Sequence, residues 1–188
     1  MPEPQIFLIA LGANLPFEGN APQETISKAL NDFNEFGLRV TAKSKLYHTP
    51  CFPAGAGPDY VNAVASVQAE LTAEDVLARL HELELRYGRE RQVRWGQRSL
   101  DLDLLSAGET ILPDRAGYER WQSLSAEHQR AFAPETLVLP HPRLAERAFV
   151  LVPMADIAAD WVHPVTSKTT LQMLDALDDA VVDGVKAL

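Results

Sequence analysis

Residues 61–104 read VNAVASVQAELTAEDVLARLHELELRYGRERQVRWGQRSLDLDL, and the fold turns on how this stretch changes its period. It opens with Val61, Ala63, Ala65, Val67 and Ala69 in alternation, the period of a strand. Thr72 and Asp75 form a Thr-x-x-Asp capping box. Val76, Leu80, Leu83 and Tyr87 then recur at helical spacing up to Gly88. Residues 89–98 hold four arginines against one glutamate, and after them Leu100, Leu102 and Leu104 alternate with Asp101 and Asp103. Strand, helix, strand is one half of a split βαβ arrangement.

The other half lies upstream. Gln5 to Leu11 is a largely apolar run, as expected for a strand buried on both faces, and Gly12 to Pro16 breaks it with turn chemistry. Pro22 opens a helix striped by Ile26, Ala29, Leu30 and Phe33, and Gly37 closes it. Leu38, Val40, Ala42 and Leu46 alternate with Arg39, Thr41, Lys43, Lys45 and Tyr47, which reads as one half-buried strand. Thr49 to Pro58 is a loop rich in proline and glycine. The order βαββαβ predicts an α+β, ferredoxin-like core with an antiparallel sheet and helices on one face, followed by C-terminal additions.

Beyond Gly108, the polar stretch from Pro113 to Pro134 carries Tyr118, Trp121 and Phe132 and has room for a short amphipathic helix. Leu137 to Leu139 reads as a short strand before Pro140-His141-Pro142. Arg143 to Val152 reads as helical, then extended, and Leu171, Leu174 and Leu177 mark a last helix. With no internal repeat, linker or low-complexity tract, residues 1–188 are expected to form a single domain.

Composition bounds the function. The chain is 46% apolar and 23% charged, the mix of a soluble globular protein. It has no apolar run of 18 residues, so no membrane partner is expected, and no basic-then-apolar leader. Cys51 is the lone cysteine, compatible with a cytoplasmic location. The formal charge is −9, the wrong sign for a nucleic-acid partner, while the basicity collects in residues 89–98. A local field of that kind suits a compact polyanion.

Asp101 and Asp103 sit two apart on a predicted strand, so both project from one face. Two carboxylates so placed repel unless a cation lies between them, and magnesium takes one or two carboxylates together with substrate phosphates. Arg98 precedes Asp101 by three residues, and acids beside arginines make the layout that phosphoryl transfer needs. Neither a P-loop nor a G-x-G-x-x-G run occurs, so a phosphate site here must rely on side chains and metal. Gly88 and Gly96 flank the arginine segment and predict a movable lid.

These residues resemble the 6-hydroxymethyl-7,8-dihydropterin pyrophosphokinases of folate biosynthesis. The resemblance rests on Arg-Trp-Gly-x-Arg-x-Leu-Asp-Leu-Asp from Arg94 to Asp103, with Leu-Gly-x-Asn at Leu11–Asn14 and Tyr-x-Thr-Pro at Tyr47–Pro50. Pro-Asp-Tyr-x-Asn-Ala at Pro58–Ala63, Glu84 with Gly88-Arg89, and Leu-Pro-His-Pro-Arg followed by Arg147 and Phe149 extend it. It runs collinearly along nearly the whole chain except about 113–134, which would be an insertion. Ala13 stands where serine is common in the family, and the stretch from Arg91 to Trp95 is about one residue short of some members.

The resemblance implies transfer of pyrophosphate from ATP to the pterin hydroxymethyl group, leaving AMP. Asp101 and Asp103 would hold two magnesium ions, and Arg89 and Arg98 would neutralise charge as the group departs. Glu84, Arg91, His141 and Arg147 would contact the nucleotide, and backbone at Leu104, Thr136, Leu137, Val138 and Leu139 would read the adenine edge. The pterin would lie between Phe149 and Trp95, walled by Thr49, Pro50, Phe52, Tyr60 and Asn62; Trp95, from the lid, also belongs to the nucleotide side. The other classes to weigh are an ADP-forming kinase on the same scaffold, which would need a general base near the acceptor hydroxyl, and a ferredoxin-like binding module. Oligomeric state is not legible in the sequence.

Overall fold

The computed structural model describes residues 3–51, 55, 57–88, 98–125, 127–128, 134 and 136–188. Gln5–Ala13 forms β1, the strand from which the sheet is built outward. On one side it pairs antiparallel with β4, Tyr60–Ala69, from Gln5 opposite Ala69 to Ala13 opposite Val61. On the other it meets β5, Asp101–Ala107. β2 (Arg39–Lys43) and β3 (Tyr47–Thr49) both pair with β4, and β6 (Lys186–Ala187) lies beyond β3. The order is β5-β1-β4-β3-β6, with β2 beside β3 along β4.

Both predicted helices form. α1 covers Pro22–Asp32, continues as a 3-10 turn through Phe36, and stops at Gly37 in the left-handed conformation. α2 covers Ala73–Arg86, and its N-cap Thr72 accepts the Asp75 N–H through Oγ1 at 3.1 Å. Ile26, Phe33, Val76, Leu80 and Leu83 of this helical layer meet Phe7, Ile9, Leu11, Leu102 and Leu104 of the sheet.

The sheet's second face is also covered, which corrects the expectation of helices on one face. After α3, Arg115–Gln122, come α4, Ala148–Ala158, α5, Thr170–Leu174, and α6, Asp179–Asp183. Val150, Leu151 and Met154 of α4, with Met173 of α5, pack on Leu8, Val64 and Leu105. Val152, on another side of α4, packs near Tyr47 and Val185. The later part of Arg143 to Val152 is thus helical and not extended; a helix buried on several sides shows no amphipathic period. The α+β, ferredoxin-like core stands, and its C-terminal additions build a third layer.

The stretch 38–47 forms two strands, not one. At Ser44 the hydroxyl accepts the Val64 N–H at 2.9 Å in place of a regular ladder contact, and the chain re-enters the sheet at Tyr47. Leu137 to Leu139 contributes a single antiparallel bridge, Leu139 to Leu112. No helix among the described residues is long and apolar enough to cross a membrane.

The stretch between Pro113 and Pro134 contains the short helix the sequence left room for, α3, capped by Asp114, whose Oδ1 accepts the Gly117 N–H at 2.7 Å. Its Tyr118 is fully buried, and the hydroxyl lies 3.2 Å from His163 Nε2. His163 Nδ1 accepts the Val165 and Thr166 N–H groups, so the neutral ring carries its proton on Nε2 and donates it to the tyrosine oxygen. Arg115 adds a bond to the Val165 carbonyl at 3.0 Å. Removing this segment therefore removes core, which its polar composition did not suggest. Tyr118→Ala should destabilise the protein by roughly 3–5 kcal/mol, and Tyr118→Phe by roughly 1–3 kcal/mol through the orphaned imidazole N–H. Denaturant unfolding at neutral pH measures both, and a loss below 1 kcal/mol for the alanine variant would count against the anchoring role.

Candidate active site

Three strands place the site. Gly12 of β1 lies opposite Asp101 of β5 on one side and opposite Asn62 of β4 on the other. Ala10, two residues earlier, lies opposite Asp103 and Val64 in the same way. Because cross-strand partners share a face, Asn62, Gly12 and Asp101 form one row and Val64, Ala10 and Asp103 the next. The small residues Gly12 and Ala10 leave a trough between the acids and the carboxamide. Phe149 and Val150 of α4 rim it, so that Ala10, Leu11, Gly12, Asn62, Asp101, Asp103, Phe149 and Val150 line one cleft. A methyl group on Gly12 would come within 3.1 Å of Asn62 Oδ1, so the backbone passes close under that side chain.

Strand alternation keeps the acids on this face, and a bulge follows them. Ile9 opposes Leu104 but Leu8 opposes Ser106, which makes Leu105 the extra residue. Leu102 and Leu104 face the α1/α2 core while Asp101, Asp103 and Leu105 face α4. Each acid carries an arginine: Arg98 Nη1 pairs with Asp101 Oδ1, and Arg147 Nη1 lies 3.3 Å from Asp103 Oδ2. The guanidinium of Arg147 also sits 5.6 Å from the centroid of the Phe149 ring, a cation–π contact. Among the described residues no group of three or more histidine, cysteine or acidic side chains could hold a metal by itself. Two carboxylates on one face fit a hard cation that takes its remaining oxygens from phosphate and water, which is the habit of magnesium.

The outer edge of β5 is held by one side chain and one backbone group. Glu84 of α2 is 1% exposed, and its Oε1 accepts the Leu102 N–H at 2.7 Å. His141 donates its backbone N–H to the Leu105 carbonyl at 2.8 Å. Burial pushes the His141 imidazole down to about 4, against the opposing influence of Asp103. The ring is thus neutral near pH 7, and because Nδ1 accepts the Arg143 N–H at 3.2 Å, the proton sits on Nε2.

Across the cleft from the acids, Asn62 is buried and its Nδ2 donates to Thr49 Oγ1 at 2.9 Å. Pro50 follows at the exposed end of β3, and Tyr60 begins β4. Burial raises the Tyr60 phenol, with Arg98 acting against that and Cys51 and Asp101 adding to it. Phe149 is 36% exposed, unusual for a phenylalanine in the first turn of an apolar helix.

The structure thus gathers Asn62, Asp101, Asp103 and Phe149 in one cleft, with Arg98 and Arg147 on the acids. Two of the expected nucleotide contacts are engaged within the fold. Glu84 braces β5 from the buried layer. Leu139 exchanges backbone hydrogen bonds with Leu112, at 2.9 and 3.2 Å, which commits its N–H and leaves its carbonyl a second lone pair. Leu104 remains on the edge strand, and Thr136, Leu137 and Val138 lie beside that bridge. Phe52, and Arg89, Arg91 and Trp95 of the expected lid, lie outside the described residues. Gly12 and Ala10 as the cleft floor were not foreseen; the signal was there in Leu-Gly-x-Asn, which carried no assigned role.

An α+β sheet bearing an arginine-flanked acid pair beside a buried carboxamide defines a phosphate-handling small-molecule site. The 7,8-dihydro-6-hydroxymethylpterin-pyrophosphokinase profile matches residues 8–159. A 2-amino-4-hydroxy-6-hydroxymethyldihydropteridine pyrophosphokinase of Pseudomonas aeruginosa is 37% identical over 153 residues, 81% of this chain and 80% of that one. The enzyme of the same name from Haemophilus influenzae is 34% identical, covering 83% of each chain. That of Synechocystis is 33% identical over 78% of this chain, which spans 64% of the relative's length. A solved Plasmodium falciparum HPPK-DHPS triple mutant with SDX-DHP superposes with a TM-score of 0.71 at 12% identity, covering 99% of this chain and 48% of that one, a likeness of fold. The chain belongs to the 6-hydroxymethyl-7,8-dihydropterin pyrophosphokinase family. The family's reaction is ATP-dependent pyrophosphoryl transfer to 6-hydroxymethyl-7,8-dihydropterin, a step of folate biosynthesis, with the pterin and ATP as its substrates.

Proposed function

We propose that this chain carries out that transfer in the cleft described above, with Asp101 and Asp103 holding two magnesium ions, Arg98 and Arg147 meeting the phosphates, and Asn62 and Phe149 holding the pterin. The observation that carries the reading is the row Asn62–Gly12–Asp101. Adjacent strands lie about 4.8 Å apart, so the carboxamide and the acid are about 10 Å apart across the sheet, the reach of a two-ring heterocycle with its hydroxymethyl arm. Magnesium bound at the pair would neutralise phosphate charge and orient the triphosphate.

The protein's own side chains supply the rest. The Asn62 carboxamide offers a donor and an acceptor to the donor–acceptor edge of the pterin, with Thr49, Pro50 and Tyr60 as the wall. Phe149 presents its ring to the heterocycle, and Arg147 bridges that ring to the acid pair. His141, neutral, contributes an N–H and no charge. Arg98 is oriented on Asp101 and can turn to the phosphates once a metal takes the carboxylate. Phe52, Arg89, Arg91 and Trp95 would complete the pterin and nucleotide sides as the family resemblance implies. The pterin oxygen bonds to the β-phosphorus as the bond to the α,β-bridging oxygen breaks, AMP leaves, and the hydroxyl proton passes to solvent. A cytoplasmic location is supported by the lone free cysteine, Cys51. Chromatography of a reaction with ATP, magnesium and 6-hydroxymethyl-7,8-dihydropterin should show AMP and the pterin diphosphate in equal amounts. Stoichiometric ADP would overturn the attack at the β-phosphorus.

A further inference from the structure

We propose that Asn14 is a positioning residue that couples Arg98 to the pterin-side loop, an inference resting on the role given to Arg98 above. Asn14 stands just past β1, two residues beyond the cleft-floor Gly12, and is 3% exposed. Its Oδ1 accepts the Arg98 N–H at 2.9 Å, while its own N–H and that of Leu15 both donate to the Arg98 carbonyl, at 3.0 and 3.2 Å. One residue therefore clamps both peptide groups of the arginine whose guanidinium meets Asp101. The other arm points elsewhere: Asn14 Nδ2 donates to the Pro58 carbonyl at 3.1 Å.

Pro58 precedes Tyr60, where β4 begins, by two residues. Between them Asp59 accepts the Cys51 N–H at 2.9 Å through Oδ1 and meets His48 Nε2 at 3.0 Å through Oδ2. The stem of the pterin loop is thus tied to β3 by Asp59 and to the end of β1 by Asn14. Neither arm of the Asn14 carboxamide serves the Gly12–Pro16 turn in which it sits; both leave it. A carboxamide accepts on one atom and donates from another, so it can reach two partners in different directions, while a carboxylate keeps only the acceptor. The acceptor arm sets where Arg98 stands, and the donor arm sets where the pterin wall stands.

A double-mutant cycle tests this. Asn14→Ala should lower kcat roughly 10²-fold with Arg98 present, the scale of a 1 Å misplacement. In an Arg98→Ala background the same substitution should change kcat by no more than about 2-fold, because its route is already gone. The KM for the pterin should rise in both backgrounds, since the bond to Pro58 is lost in both. Asn14→Asp retains the acceptor for Arg98, so its kcat should stay within a few-fold of wild type while the pterin KM rises; this variant decides the matter if the alanine variant does not fold. Equal kcat losses in both Arg98 backgrounds, or no kcat loss in Asn14→Ala, would overturn the coupling alone. Unchanged kcat in Arg98→Ala by itself would overturn the role of Arg98 and the coupling with it.

Discussion

Asp101→Ala and Asp103→Ala should each lower kcat by roughly 10³-fold or more at saturating magnesium, with the fold retained. Among the described residues no third histidine, cysteine or acidic side chain is grouped with them to take over from either carboxylate. Both face the open trough, and their leucine neighbours, not they, fill the core. The arginines left behind are partly exposed and can be hydrated, so the stability change should stay within about 1 kcal/mol. Steady-state kinetics over a magnesium titration, paired with thermal unfolding, measures both sides. A kcat within a few-fold of wild type in either variant would remove that acid from the metal site, and loss of folding would show that the pair is structural.

Arg98→Ala should cost roughly 10³- to 10⁵-fold in kcat with a smaller effect on the KM for ATP, as for an arginine that answers charge developing in the transition state. In the ligand-free state Arg98 is held on Asp101, and its charge is favoured there by both acids against the penalty of burial. Once a metal takes Asp101, the same guanidinium faces phosphate oxygens. Arg98→Lys should recover part of the loss, since a point charge remains but the planar fork does not. If the whole loss falls on KM, Arg98 binds ground-state ATP and its catalytic assignment goes.

The local order of elements was legible because it is a matter of period. α1, β4, α2 and β5 lie where alternation or the helical stripe put them, β1 lies where the apolar run put it, and Thr72 and Gly37 act as the cap and stop their types suggest. Where the period failed, so did the reading. α4 is buried on several sides and has no polar stripe, so the later part of Arg143 to Val152 looked extended. The break at Ser44 depends on a hydroxyl standing in for a ladder contact, which the alternation of 38–47 does not disclose. Tyr118 became core because His163, 45 residues away in sequence, waits for its hydroxyl.

The site divides the same way. Asp-Leu-Asp on a strand by itself requires both acids to share a face, since side-chain period in a strand is two, and the collinear motifs of Leu-Gly-x-Asn, Pro-Asp-Tyr-x-Asn and Arg-Trp-Gly-x-Arg named the family's chemistry. What the sequence could not say is which distant residues become neighbours. Register alone brings Gly12 between Asp101 and Asn62, and a one-residue slip of β1 would turn Ala13 or Leu11 into the trough and close it. Burial alone commits Glu84 to β5 and Leu139 to Leu112, because a backbone group shut away from water must take the partner at hand.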